Sequence, residues 1–192
     1  MQFTTTTLAA IMAFTSSTLA SPLQSRQSTL QDFQVTSVSV FTPSGRPETY
    51  PWSTLTANIT DPNEVNLGPS KSDGQDVVVP AGSQGVNCVA KYFSKGENPI
   101  GRTWPCDPTS QGYWTMQVLP GSSGSYSSTD FKLKFTHVAD VLYLGSEYTA
   151  SFVAEGGFEV GDNMSGTCGS SGRCAWGLKQ EDVPVLIAPV KQ

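Results

Sequence analysis

Histidine occurs once in the 192 residues, at His137. That scarcity excludes any metal centre built on two histidines and leaves a single imidazole as a general base. Charge is scarce too. Asp, Glu, Lys and Arg make up only 14% of the chain, and 11 basic against 16 acidic residues give a formal net charge of −5. Phosphate backbones need a clustered basic surface, so nucleic acid is not an expected partner. Beyond the N-terminus no apolar run approaches the roughly 20 residues of a membrane-spanning helix, so no membrane insertion is expected. No window carries the 3.6-residue apolar stripe of an amphipathic helix. No G-x-S-x-G elbow occurs, no C-x₂-C-like zinc spacing occurs, and no internal repeat is visible. No cofactor is expected.

What is present is Gly and Pro in quantity (18 and 13), many Ser and Thr, and four cysteines. The chain opens MQFTTTTLAAIMAFTSSTLA, with a short apolar stretch from Leu8 to Phe14. That stretch suits the h-region of a signal peptide, and Thr18-Leu19-Ala20 offers a small-residue cleavage site. The expected organisation is a signal peptide over 1–20, a flexible leader over 21–31 and a single β domain over 32–192. Arg26 is a candidate processing site within the leader. Export would place the four thiols in an oxidising compartment, where an even count points to disulfides.

Period-two alternation dominates the rest. In FKLKFTHV, Phe131, Leu133 and Phe135 share the inward parity and His137 continues it. STLTANIT sets Leu55, Ala57 and Ile59 on one face and Asn58 on the other. GVNCVAKYF groups Val86, Cys88, Ala90 and Tyr92, GYWTMQV groups Trp114, Met116 and Val118, and SEYTASFVA groups Tyr148, Ala150, Phe152 and Ala154. DFQVTSVSVF changes phase between Val35 and Val38, which predicts a bulge or a strand covered on both faces. Pro184 and Pro189 confine VPVLIAPV to an edge or a strand end. Turn chemistry at Pro43-Ser44-Gly45, Asp61-Pro62-Asn63, Pro120 to Gly124 and Gly156-Gly157 separates the runs. Strands at such spacing predict an all-β fold, an antiparallel barrel or sandwich. Asp61 to Gly85 reads as the longest irregular stretch, a surface insertion or a binding loop.

Five groups of residues merit a chemical reading. Cys88 and Cys106 flank one segment, Cys168 and Cys174 another; of three possible connectivities, nearest-neighbour pairing is the one adopted. His137 reads as a satisfied core or rim histidine. Glu147, Glu155, Glu159 and Asp162 form the densest acidic group, and they read as solvated turn acids rather than the paired carboxylates of a glycosidase. Trp52, Trp104, Trp114 and Trp176 raise a sugar-stacking face, although Trp114 has core parity and two of the others neighbour cysteines. Asn58-Ile59-Thr60 and Asn163-Met164-Ser165 are glycosylation sequons, with Asn58 the better acceptor.

The order and spacing of the leader SPLQSRQ, FQVTSVSVF, GRPETYPWSTLTANITDP, VNCVAKYF…WPCDPTSQGYWTMQV, and FKLKFTHV followed by YTASFVAEG and the second short Cys pair resemble the Alternaria major-allergen-like family of fungal secreted β-barrels, which includes hypersensitive-response elicitors. The resemblance covers most of residues 22–176. It implies an eleven-strand type of barrel, disulfides Cys88–Cys106 and Cys168–Cys174, no established active site, and a non-enzymatic role as an apoplastic effector or elicitor that binds plant extracellular defence proteins. Residues 21–87 contain no cysteine, so the covalent dimer of the named allergen has no counterpart, and a monomer or non-covalent dimer is expected. Two other classes compete: a carbohydrate- or cell-wall-binding module, and a small secreted hydrolase.

Overall fold

A computed structural model describes residues 30–192; the expected signal peptide, and all of the leader but its last two residues, lie outside the described residues. Leu30 and Gln31 are held rather than loose. Gln31 N donates to Asn63 Oδ1 and Asn63 Nδ2 donates back to Gln31 O, at 2.7 and 2.9 Å, and Leu30 packs on the core.

The described residues are all-β apart from one 3₁₀ turn at Gln180–Asp182. The strands are β1 (Phe33–Thr42), β2 (Trp52–Asp61), β3 (Val65–Pro69), β4 (Asp76–Val79), β5 (Ser83–Phe93), β6 (Thr103–Pro105), β7 (Gly112–Pro120), β8 (Asp130–Tyr143), β9 (Ser146–Glu159), β10 (Met164–Cys168), β11 (Cys174–Leu178), β12 (Val185–Ile187) and β13 (Val190–Lys191). One antiparallel sheet runs β10-β11-β1-β2-β5, with β12 added beside β1; the other runs β13-β9-β8-β7-β6; β3 and β4 form a separate hairpin. The two large sheets are open and face each other, so the architecture is a sandwich rather than a closed barrel. Two devices join their edges. The Cys88–Cys106 bridge ties β5 to the end of β6, assisted by Asp107 N donating to Val86 O at 2.8 Å. On the far side the C-terminal segment changes sheets, β12 pairing with β1 and β13 with β9, and the prolines flank these short strands as expected.

The inward parities fill one core. Leu55, Ala57, Ile59, Trp114, Met116, Val118, Phe131, Leu133 and Phe135 are all at most 1% exposed. The phase change in β1 is a bulge, with the register against β2 slipping between Val35 and Ser37.

Three local expectations need correction. Val86 does not share the face of Cys88, because the β2–β5 register slips across this point and Asn87 adopts a φ of 50°; the extra residue turns Val86 outward. Gly156-Gly157 is not a turn but lies inside β9, and Gly156 is required by close approach: a Cβ there would sit 2.6 Å from Ile187 Cγ2. Asp61 to Gly85 is not an irregular loop. It folds as the β3–β4 hairpin, buries Val65, Val77 and Val79, and is pinned to the ends of β8 and β9 by Lys71 N donating to the Tyr148 hydroxyl and by the Tyr143 hydroxyl donating to Asp73.

Candidate functional sites

Two opposite ends of β2 carry the polar features of the molecule. At its C-terminal end, Asp61 pairs across the ladder with Ser83, the first residue of β5. Facing them from the other sheet is a second cross-strand pair, Trp114 of β7 and His137 of β8. The four side chains meet in the sandwich interior. His137 Nδ1 lies 2.9 Å from Asp61 Oδ2, His137 Nε2 lies 3.1 Å from Ser83 Oγ, and Trp114 Nε1 donates to the same Oγ at 3.1 Å. The imidazole stacks flat on the indole at 4.4 Å, with an interplanar angle of 2°. Asp61 is further anchored by Asn63, whose backbone N and Nδ2 both donate to Oδ1, at 2.8 and 2.7 Å.

The chemistry of the donors constrains this chain. An indole N–H can only donate, so Ser83 Oγ accepts from Trp114 and keeps its own hydrogen for another acceptor. In the tautomer protonated at Nδ1, the imidazole donates to Asp61 and offers Nε2 as that acceptor to Ser83. Asp61 and His137 are each 1% exposed, whereas Ser83 is partly exposed and lines a surface cavity of about 400 Å³. His137 is therefore buried and satisfied, as its parity indicated, but the satisfied arrangement is an aspartate–histidine–serine relay. No motif joins Asp61 to Ser83, so neither stands out in the sequence as a site residue. The available signal was parity: Asp61 continues the inward face of Leu55, Ala57 and Ile59, so a carboxylate and an imidazole both stood at core positions.

At the other end of β2 the surface is basic and aromatic. The β1–β2 connection and the turn closed by Cys168–Cys174 border a cavity of about 630 Å³, lined among others by Phe41, Arg46, Tyr50 and Arg173. The Arg173 guanidinium sits 4.9 Å from the Phe41 ring centre, and Lys91 Nζ lies 5.6 Å from the Tyr50 ring and 5.4 Å from that of Trp52. Such placement holds cations over apolar faces while leaving them wet. Tyr50 is 53% exposed.

The other sequence candidates fall apart spatially. Trp114 is interior, Trp52 and Trp176 belong to one sheet and Trp104 to the other, so the four indoles form no common stacking face. Glu147, Glu155, Glu159 and Asp162 are exposed, the first three along β9 itself rather than in turns. No cluster of three or more His, Cys, Asp or Glu suited to a metal occurs among the described residues. Both disulfides are formed as paired, Cys88–Cys106 and Cys168–Cys174, and no cysteine is free. Asn58 stands on the outer face of β2, its Oδ1 accepting from Asn87 N at 2.9 Å. Asn163 is tied at both atoms: Oδ1 accepts from Glu159 N and Nδ2 donates to Gly157 O, at 3.0 and 2.9 Å.

Elsewhere, three surface carboxyls are held below their usual range. Side-chain and backbone donors of Ser122 depress Asp130, the backbone N–H of Gln75 depresses Asp73, and that of Phe93 depresses Glu97. In the interior, burial pushes the hydroxyls of Tyr92 and Tyr126 up, across a mutual hydrogen bond of 2.5 Å.

No protein-family model, no curated protein and no solved structure matches the chain.

Proposed function

We propose that this chain is a secreted effector of the elicitor kind, which triggers a plant defence or cell-death response by binding a host extracellular protein, an action that requires no turnover. Three things support the reading. Both disulfides are formed, as suits an oxidising extracellular medium. No described helix is long and apolar enough to cross a membrane. The order and spacing of the strand segments resemble a family of fungal secreted elicitors.

The observation that carries the binding role is the basic–aromatic end. In a chain of net charge −5, Arg46 and Arg173 line one concave surface with Phe41 and Tyr50, and Lys91 lies beside it over Tyr50 and Trp52. Arg, Tyr and Trp are the residues that dominate protein-interface energetics, and the concavity offers a pocket for a partner's anchor. The sequence offered Asp61–Gly85 as a binding loop, but that stretch is a packed hairpin. The proposed contact surface moves accordingly to residues 43–52 and 169–173.

The test uses purified folded protein and the variant Arg46→Glu/Arg173→Glu. Wild type is expected to give a response on leaf infiltration and to retain one defined apoplastic protein on beads; the variant loses both at an unchanged melting temperature. Retention of insoluble polysaccharide in place of protein would favour the cell-wall-binding module. A variant that binds and elicits as wild type does would overturn this choice of surface.

A further inference from the structure

The relay at the opposite end of β2 goes beyond this reading. We propose that Ser83 is an activated nucleophile, with His137 as its general base and Asp61 as the orienting carboxylate, in a site for acyl transfer from small uncharged carboxylic esters.

Four observations converge on it. The hydrogen-bond order Ser83 to His137 to Asp61, at 3.1 and 2.9 Å, is the one that nucleophilic serine chemistry requires, and such a set is recognised by geometry and roles rather than by chain order or motif. The base and the carboxylate are sealed from water, so Nε2 faces Ser83 as its partner, while Ser83 alone of the three borders a cavity open to solvent. Each member is gripped from outside the relay: Asp61 by two donors of Asn63, His137 by the face of Trp114, and Ser83 by the indole N–H. Those same grips favour the charges that develop. The indole face and Asp61 stabilise an imidazolium, and the Trp114 N–H stabilises negative charge on Oγ.

The cavity indicates the substrate class. Its lining combines apolar residues such as Pro80 and Val86 with the polar Gln84, Ser110 and Gln111, and includes no charged side chain. An uncharged acyl group suits the apolar part of that lining, and its amide and hydroxyl donors are suited to a carbonyl oxygen that becomes an oxyanion. Ser83 Oγ attacks the carbonyl carbon as its proton passes to His137 Nε2. The tetrahedral adduct collapses, the ester C–O bond breaks, and Nε2 returns the proton to the departing alkoxide, leaving acyl-Ser83 and an alcohol. A water then attacks the acyl carbon with His137 Nε2 taking its proton; the Ser83–acyl bond breaks as Nε2 returns that proton to Oγ, and a carboxylic acid leaves with Ser83 and His137 restored. No metal, cofactor or redox partner enters the balance.

The experiment treats the folded mature chain with a fluorophosphonate probe and maps the adduct by mass spectrometry, with hydrolysis of p-nitrophenyl butyrate followed in parallel. One phosphonyl group per chain is expected, on Ser83 in preference to all other serines. Labelling should be lost in Ser83→Ala and slowed at least ~100-fold in His137→Gln. The wild-type adduct map keeps the result decisive even where a variant fails to fold. Folded wild type that leaves Ser83 unlabelled, or labelling of Ser83 at equal rates with and without His137, would overturn the proposal. Neither result bears on the binding surface at residues 43–52 and 169–173.

Discussion

Removing the disulfides one at a time should cost the fold unequally, and the inequality can be worked from loop length and burial. Cys88–Cys106 closes a separation of 18 residues and Cys168–Cys174 one of 6. In the chain-entropy description a cross-link removes freedom from the unfolded state by a constant plus a term in the logarithm of loop length, giving about 3 kcal/mol for the first and about 2 kcal/mol for the second. Burial widens the gap. Cys88 is 0% exposed and belongs to the core, so Cys88→Ala also empties space there, costing about 1 kcal/mol more. Cys168 is exposed and leaves no such void. The double variant Cys88→Ala/Cys106→Ala should therefore lose about 4 kcal/mol and Cys168→Ala/Cys174→Ala about 2 kcal/mol. For a chain of this size each kcal/mol moves Tm by roughly 2–4 °C, so the two melts should be separated by roughly 4–8 °C. Thermal melts and urea titrations of both variants measure this. The urea slope should rise more in the first variant, because its unfolded chain is released from the longer loop. Equal losses, or a larger loss on opening the surface turn, would refute the reasoning, and an unchanged slope in both variants would remove the unfolded state as its cause.

Three further outcomes follow from the same contacts. His137→Gln should lower stability by about 1–3 kcal/mol, because Asp61 loses a partner in the interior, yet leave the leaf response intact, since the relay lies the length of a ten-residue strand from the basic end; a lost response at unchanged melting temperature would place His137 in the eliciting site. Because Asp73, Glu97 and Asp130 all titrate below their usual range in the folded state, the stability they contribute is present above the ordinary carboxylate pKa near ~4 and is lost as pH falls through the folded values. Urea midpoints between pH 5 and pH 2 should fall, and Asp130→Asn should shallow that fall; an identical slope in the variant would contradict the assignment. Secreted from a eukaryotic host, the protein should carry a glycan at Asn58 in preference to Asn163, whose Nδ2 is committed to Gly157 O, and mass mapping after enzymatic deglycosylation reads the occupancy; a glycan on Asn163 with Asn58 bare would contradict it.

Much of the sandwich could be read from alternation because each core strand is inward on one face only. Phe131 to Phe135 and Leu55 to Ile59 declare their faces residue by residue, and β1 declares its bulge by changing phase. The misreadings share a physical cause: local composition cannot report what arrives from far along the chain. Gly156-Gly157 looks like a turn until β12 is brought against β9. Asp61 to Gly85 looks unstructured because its valines, paired across the hairpin itself, find the surface they pack on only at the ends of β8 and β9. Val86 fits its parity until Asn87 enters the left-handed region and inserts a residue. The relay is the sharpest case, since Asp61, Ser83 and His137 are brought together by the facing of two sheets and by no spacing in the sequence. The basic–aromatic end was hidden in the same way, with Arg46, Lys91 and Arg173 on three separate segments.

The proposed function is binding of a host extracellular protein through the basic–aromatic end of the folded protein. The most direct measurement of it is leaf infiltration paired with capture from apoplastic fluid, using wild type and Arg46→Glu/Arg173→Glu of matched melting temperature. Wild type is expected to elicit a response and to retain one defined protein, and the charge-reversed variant to do neither. Wild type that is folded yet elicits nothing in several plants and retains no apoplastic protein would contradict it.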